Sequence, residues 1–210
     1  MAKTFVSNKD ESVRMFKSDF MEFFSHIHWS VPVIAWSPVI IGLFVFCAMA
    51  EGILPTLGFF VVGAFLWSLS EYILHRFVFH YQPKTGVGKK LHFLLHGVHH
   101  DYPQDSSRLV MPLGFSVPIA IVFYFLFRFL LMPLGGEYYL GLFSGFIAGY
   151  LAYDMIHYAT HHMPMRGRIG KFLKQYHMKH HYVDGDHGYG VSNPLWDHVF
   201  QTVPKKKVDP

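Results

Sequence analysis

Ten histidines recur in four short clusters: His75-Arg-Phe-Val-Phe-His80, His96-Gly-Val-His99-His100, His157-Tyr-Ala-Thr-His161 and His177-Met-Lys-His180-His181. Residues three or four apart share one helix face, so His157 and His161 can grip one ion from a single helix. In the two HX2HH clusters the first histidine lies three and four positions before the following pair. Adjacent histidines diverge by about 100° around an α-helix, so one such cluster can feed two neighbouring ions. The HX4H pair stands about 140° apart on an ideal helix and needs a helix end or a distortion to converge. Ten clustered imidazoles cannot all be protonated, because like charges depress each other's pKa. Neutral imidazole is the form that metals bind, and ten donors are too many for one ion and natural for two.

The chain holds 16 histidines against 14 acidic residues. His26 and His28 read as interfacial groups. His92, four before His96, and His198 are candidates to steady a metal-bound imidazole from behind, a common arrangement. His162 and His187 read as packing groups or as further such partners. Asp154, three before His157, is the candidate carboxylate for that role, the alternative being a helix-end carboxylate in water. Glu71, four before His75, poses the same choice. The single cysteine, Cys47, excludes an intramolecular disulfide and a Cys-based zinc finger, and its apolar surroundings mark an inert thiol.

These groups need rigid elements to carry them. The chain has 210 residues, enough for one domain; 51% are hydrophobic and 15% charged, against roughly 25% charged in soluble domains. Four stretches, 31–50, 53–70, 109–127 and 138–153, lack formal charge. Each is close to the roughly 20 helical residues that cross a bilayer, and helices are what a lone segment can form in lipid. The expected fold is all-α and integral to the membrane, with spans at about 31–50, 53–74, 110–132 and 137–158. A cytosolic helical cap from 75–108 and 159–210 would hold the His-rich dimetal centre. Pro55 suits a first helical turn. Short connections at Glu51-Gly52 and Pro133–Glu137 make two hairpins, so all four clusters emerge at one membrane face. Seventeen of the 18 Lys and Arg residues fall on that face, Arg128 being the exception. The positive-inside rule makes it cytoplasmic, in a bacterial inner membrane or the endoplasmic reticulum. Lys205 to Lys207 do not form a retrieval dilysine.

Residues 1–30 are polar and charged without a clean apolar run, so no cleavable signal peptide is expected there. Phe16, Phe20, Phe23, Phe24 and Ile27 follow helical spacing, predicting an amphipathic helix on the membrane or one packed on the cytoplasmic domain; residues 31–210 form the domain proper. The basic face suits anionic lipid headgroups, and no motif points to nucleic acid. Gly141, Gly145 and Gly149 repeat every fourth residue, which predicts close helix packing or the wall of an acyl groove.

The clusters resemble those of the membrane fatty acid hydroxylase superfamily of non-haem di-iron enzymes, and over longer strings its fatty acid 2-hydroxylase (sphingolipid alpha-hydroxylase) subgroup. The similar strings are Ser70-Glu-Tyr-Ile-Leu-His75-Arg-Phe-Val-Phe-His80, Leu91-His-Phe-Leu-Leu-His96-Gly-Val-His99-His100-Asp-Tyr-Pro103 and Arg108-Leu-Val-Met-Pro112. Tyr153-Asp154 ahead of His157, and Gly190-Val-Ser-Asn-Pro-Leu-Trp-Asp-His-Val-Phe200, extend the likeness, which covers roughly residues 67–202. The resemblance implies four spanning helices under a cytosolic cap, with His75, His80, His96, His99, His100, His157, His161, His177, His180 and His181 at the metal-ligand positions. It implies O2-dependent hydroxylation at C2 of a long fatty acyl group, free or in a sphingolipid, at two irons. Zinc, favoured by raw affinity, is the alternative metal for purified protein. Many relatives carry an N-terminal cytochrome b5 domain with a His-Pro-Gly-Gly string. This sequence has no such string, so the expected electron donor is a separate cytochrome b5 or a ferredoxin with its reductase. A sister lipid oxidase (desaturase, sterol or carotenoid hydroxylase) shares the bare clusters. A His-rich metal transporter is the non-enzyme alternative, but it predicts ionisable ligands near the bilayer midplane.

Overall fold

The computed structural model describes residues 5–204; Lys3 and Lys205 to Lys207, counted among the cations above, lie outside them. The described residues are helical and contain no strand. A short α1 (Asp19–Ser25) leads to α2 (Ser30–Glu51) and α3 (Ile53–Ile73), which runs on into a π-helical turn, Leu74–Phe79. Next come α4 (Gly86–His92), a second π-helical turn (Phe93–Gly97) and α5 (Val98–Asp101). α6 (Leu113–Leu131) ends in a 3-10 turn, Met132–Leu134, and is followed by α7 (Tyr138–His162), α8 (Gly167–Tyr182) and α9 (Leu195–Val199).

Four of these helices are long and apolar enough to cross a membrane: Ser30–Glu51, Ile53–Phe79, Leu113–Leu134 and Tyr138–His162. Two run further at the histidine-bearing end than hydropathy alone predicts. The second continues through the π turn to Phe79, and the fourth reaches His162, carrying both histidines of its cluster on regular helix. The third starts later, at Leu113, because the Met111 N–H is given to the Asp154 carboxylate (3.2 Å) instead of to a helical carbonyl. α7 is the central helix, buried along most of its length. α2, α3 and α6 turn large apolar side chains such as Ile34, Met49, Leu54, Val122 and Phe129 outward, where only hydrocarbon can cover them favourably.

Small residues let α3 and α7 approach closely. A methyl on Gly145 would overlap the Phe60 carbonyl, one on Gly63 would overlap the Leu142 carbonyl, and one on Gly149 would press on the Trp67 ring. The four-residue glycine repeat is therefore a packing seam, as such repeats in membranes usually are. Above it, Trp67 packs edge-on against Phe146 and Tyr150. At the far end of the bundle Glu51 accepts the Glu137 N–H at 2.7 Å, tying the two hairpins together.

The N-terminal segment is strapped across the cap. Val6 N–H and Ser7 N–H bond the Asp101 carbonyl, and Ile27 N–H bonds that of Ser107. The Arg108 guanidinium, itself buried, binds the Glu22 carboxylate and the Val13 carbonyl. The segment packs on the cap, and Phe20 and Phe23 on α1 are each 74% exposed.

The glycine seam makes a direct prediction. Gly145→Ala and Gly63→Ala each force backbone apart, and overpacking of this kind costs about 1–3 kcal/mol. Gly42→Ala and Gly58→Ala meet nothing within 4 Å. Thermal melts in detergent should show a lowered midpoint for the first pair and none for the second.

Candidate metal centre

The ten histidines converge as two groups of five. One is His75, His80, His96, His100 and His180; the other is His99, His157, His161, His177 and His181, and within each group the ligand atoms lie within 4.8 Å of one another. Helical geometry sorts them. In each HX2HH cluster the i and i+4 members (His96 with His100, His177 with His181) stay together. The i+3 member (His99, His180) turns to the other group. His157 and His161, one turn apart on α7, both serve the second group.

The HX4H pair needed a distortion to converge, and the π turn over Leu74–Phe79 supplies it. Hydrogen bonding from i+5 to i stacks residues five apart; here the His80 N–H reaches the His75 carbonyl at 3.1 Å. Both rings then join one group. A second π turn precedes His99 and His100, at Phe93–Gly97.

The ring nitrogens face inward. In the first group the Nε2 of His96 lies 3.1 Å from that of His75 and 3.0 Å from that of His100, and the Nε2 atoms of His180 and His80 are 3.1 Å apart. In the second group His157 and His99 approach to 2.9 Å, while His177 lies 2.9 Å from His161 and 3.0 Å from His181. The His75 Nδ1–H donates to the Tyr189 carbonyl at 2.6 Å, and the His180 Nδ1–H to the His187 carbonyl at 2.8 Å. A carbonyl only accepts, so Nδ1 bears the proton in both rings and Nε2 presents its lone pair to the group. Burial holds these imidazoles neutral. It lowers His80 to about 3, with the charges of His180 and His92 adding to the effect. His96, His99, His100, His177 and His181 are likewise pushed well below 6.5, by burial first and neighbouring imidazoles second. Clustered neutral imidazoles with inward Nε2 atoms suit a divalent transition metal, and this donor set can hold one ion in each group.

Several other candidates stand elsewhere. Asp154 touches no imidazole: it accepts from Met111 N–H and from the Tyr150 hydroxyl at 3.3 Å, and so fixes the entry to α6. His198 is exposed on α9, and His92 hydrogen-bonds none of the ten among the described residues. The ring of His162 packs on Tyr158 and that of His187 bonds Asp184. His26 bonds Ser107 and Arg108 in the strap. Glu71 is neither beside His75 nor in water. It is buried and binds the Val191 and Ser192 N–H groups at 2.7 and 2.8 Å. Asp197, Tyr189 and Thr202 drew no role from spacing, because their partners lie on loop backbone that has no periodic signature.

An apolar cleft of about 600 Å³ opens between α2, α6 and α7, lined by Trp36, Val39, Leu113, Val117, Tyr124 and Phe143 among others. Trp36 meets Tyr150 edge-on, and Tyr153, on the same helix, stacks on His157. Trp36 of the cleft wall thus packs on the helix that carries His157 and His161.

The fatty acid hydroxylase family model matches residues 60–202. The chain belongs to this family. It is 38% identical over 203 residues to a dihydroceramide fatty acyl 2-hydroxylase of Arabidopsis thaliana, covering 94% of this chain and 82% of that one. It is 37% identical to the fatty acid 2-hydroxylase of Rattus norvegicus, covering 94% of this chain and 58% of the rat protein. Among solved structures, full-length scs7p, with only its hydroxylase domain visible, superposes with a TM-score of 0.84 at 36% identity, covering 91% of this chain and 73% of that one. The matched stretch, residues 60–202, contains all four histidine clusters.

Burial of neutral imidazoles also sets a pH dependence. The folded pKa of His80, about 3, lies below the 6.5 of an unfolded histidine, so the unfolded chain binds more protons between these values. Metal-free protein should lose stability as pH falls below about 6.5, measured as a falling melting midpoint. A midpoint that rises over that range would contradict the neutral assignment.

Proposed function

We propose that the protein is a membrane fatty acyl 2-hydroxylase that inserts oxygen at C2 of a long-chain acyl group, free or within a sphingolipid. The observation that carries this reading is the pair of five-histidine groups at the ends of apolar helices, in a chain of this family. The ten histidines are assigned as the ligands of two irons, one per group. Bound iron supplies the redox change that O2 activation needs, which zinc lacks; the protein supplies placement and exclusion of water. Residues 31–210 act as the hydroxylase unit and residues 1–30 as its interfacial strap.

The acyl chain is assigned to the cleft between α2, α6 and α7. C2 is next to the carboxyl or amide end, so the reacting carbon belongs at the polar boundary while the rest of the chain stays in hydrocarbon. Histidine groups at the ends of the spans suit that position. The Asp154 carboxylate, held by Met111 N–H and the Tyr150 hydroxyl, ties the entry of α6 to α7.

Electrons are assigned to an acidic carrier of the cytochrome b5 or ferredoxin class docking on α8. This helix carries Arg168, Lys171, Lys174 and Lys179 and no carboxylate. Its inner face bears His177, His180 and His181, so a carrier on its outer face stands one helix diameter from both groups. Charge steering of this kind weakens with salt.

The cationic face is assigned to the cytoplasm by the positive-inside rule. Labelling of introduced cysteines tests this. Val87→Cys on α4 should react only from the cytoplasmic side and Leu134→Cys only from the opposite side; labelling of both from one side would refute the arrangement. Cys47 is fully buried and makes a quiet background.

The reaction is tested by expression in a host lacking 2-hydroxy lipids, with isotopically labelled O2 and lipid mass spectrometry. Label at C2 of an acyl group is the expected result, together with two metal ions per chain. His161→Ala or His180→Ala should abolish the product and lose metal, whereas His26→Ala should change product little. A new double bond or oxygen on a ring carbon would select a sister oxidase. No lipid change in a fully metallated protein supplied with a donor would exclude hydroxylation.

A further inference from the structure

A second buried polar network surrounds the irregular chain between α8 and α9, and it bears on one histidine group only. Two buried carboxylates grip this loop. Glu71, from α3, accepts from Val191 N–H, Ser192 N–H and the Ser192 hydroxyl. Asp197, from α9 and fully buried, accepts from Tyr189 N–H at 2.9 Å and Gly190 N–H at 2.7 Å, and from the Thr202 hydroxyl at 2.8 Å. The backbone comes so close that a methyl on Gly190 would overlap the Asn193 carbonyl. Gly188, at φ +79°, turns the chain so that its N–H meets the Thr202 carbonyl at 2.7 Å.

The loop held in this way offers two carbonyls to the centre, those of Tyr189 and His187. They take the Nδ1–H of His75 and of His180, both in the first group. In the second group the Nδ1 atoms of His161, His177 and His181 are buried with no hydrogen-bond partner among the described residues. Partners of this type fix the tautomer and ring orientation of a ligand and raise its basicity, and their loss typically costs about 10–100-fold in metal affinity.

We propose that Glu71 and Asp197 are positioning residues for one metal position alone, acting through the loop carbonyls on His75 and His180, and that this makes the first group the tighter of the two. The proposal rests on the reading that each group holds one ion. Hydrogen-bond direction separates the two carboxylates. In Glu71→Gln the amide oxygen can keep both backbone donors while the new NH2 donates to the Ser192 hydroxyl, so the clamp survives. In Asp197→Asn the NH2 must face either Tyr189 N–H or Gly190 N–H, and a donor is left unmatched whichever way the amide lies.

The test is a chelator titration of the full-length protein reconstituted with ferrous iron, following metal per chain by elemental analysis and the iron environments by Mössbauer spectroscopy. The wild type should release its two ions in separate steps. Glu71→Ala and Asp197→Asn should move only the more tightly held step, by about 10–100-fold in chelator, and change one iron signal; Glu71→Gln should overlie the wild type. His180→Ala and His161→Ala assign the steps to the first and second groups. If Asp197→Asn does not fold, the contrast between Glu71→Ala and Glu71→Gln carries the same comparison. Equal shifts of both steps, no shift, or Gln behaving as Ala would overturn the proposal, as would a single wild-type step. A wild type that holds fewer than two ions would overturn the reading beneath it, a result distinct from all of these.

Discussion

Everything in this molecule answers to one electrostatic demand: ten imidazole nitrogens are brought within about 3 Å of one another, in pairs, away from water. Such lone pairs repel, and none can be relieved by protonation at neutral pH because burial penalises the charge. A cation shared by each group relieves that repulsion. Until it does, the surrounding helices must hold the rings against their mutual repulsion. The rigidity of the bundle is thus a requirement of the site.

That rigidity comes from the α3–α7 seam. Glycines at 63, 145 and 149 bring the backbones of two spans close, and these two spans carry His75, His80, His157 and His161 at their ends. The spacing of the helices in lipid therefore sets the spacing of these histidines outside it. The other six arrive on elements of the cap, the second π turn, α5 and α8.

The parts of this design that repeat were readable in the amino-acid sequence. The four clusters marked the ten histidines that converge, uncharged stretches marked the spans, and the 140° divergence of His75 and His80 on an ideal helix required a distortion there. The π turn is that distortion. Its kind could not be read, because HX4H is equally compatible with a broken helix end. Asp154 illustrates the opposite failure. Three residues before His157 it lies on a helix face that suggests an imidazole partner, but the neighbouring strand of chain, Met111, competes for it and wins. Glu71 and Asp197 were opaque for a related reason. Their partners are backbone N–H groups, which every residue owns, and for Glu71 they lie 120 positions away. Side-chain periodicity carries no information about such bonds.

The strap has a consequence for how the molecule is made. Residues 6, 7 and 27 bond carbonyls at 101 and 107, so a segment synthesised early has no seat until two spans and half the cap have followed it. The same delay applies at the other end, since neither histidine group is complete before residue 180. During synthesis the early spans can settle in lipid through local contacts, while the aqueous half stays open and its closure depends on distant pairings, which are slow. The strap also waits for the end of α8, where the Tyr182 hydroxyl donates to Asn8 at 2.7 Å, so its full closure and the completion of both histidine groups are late events.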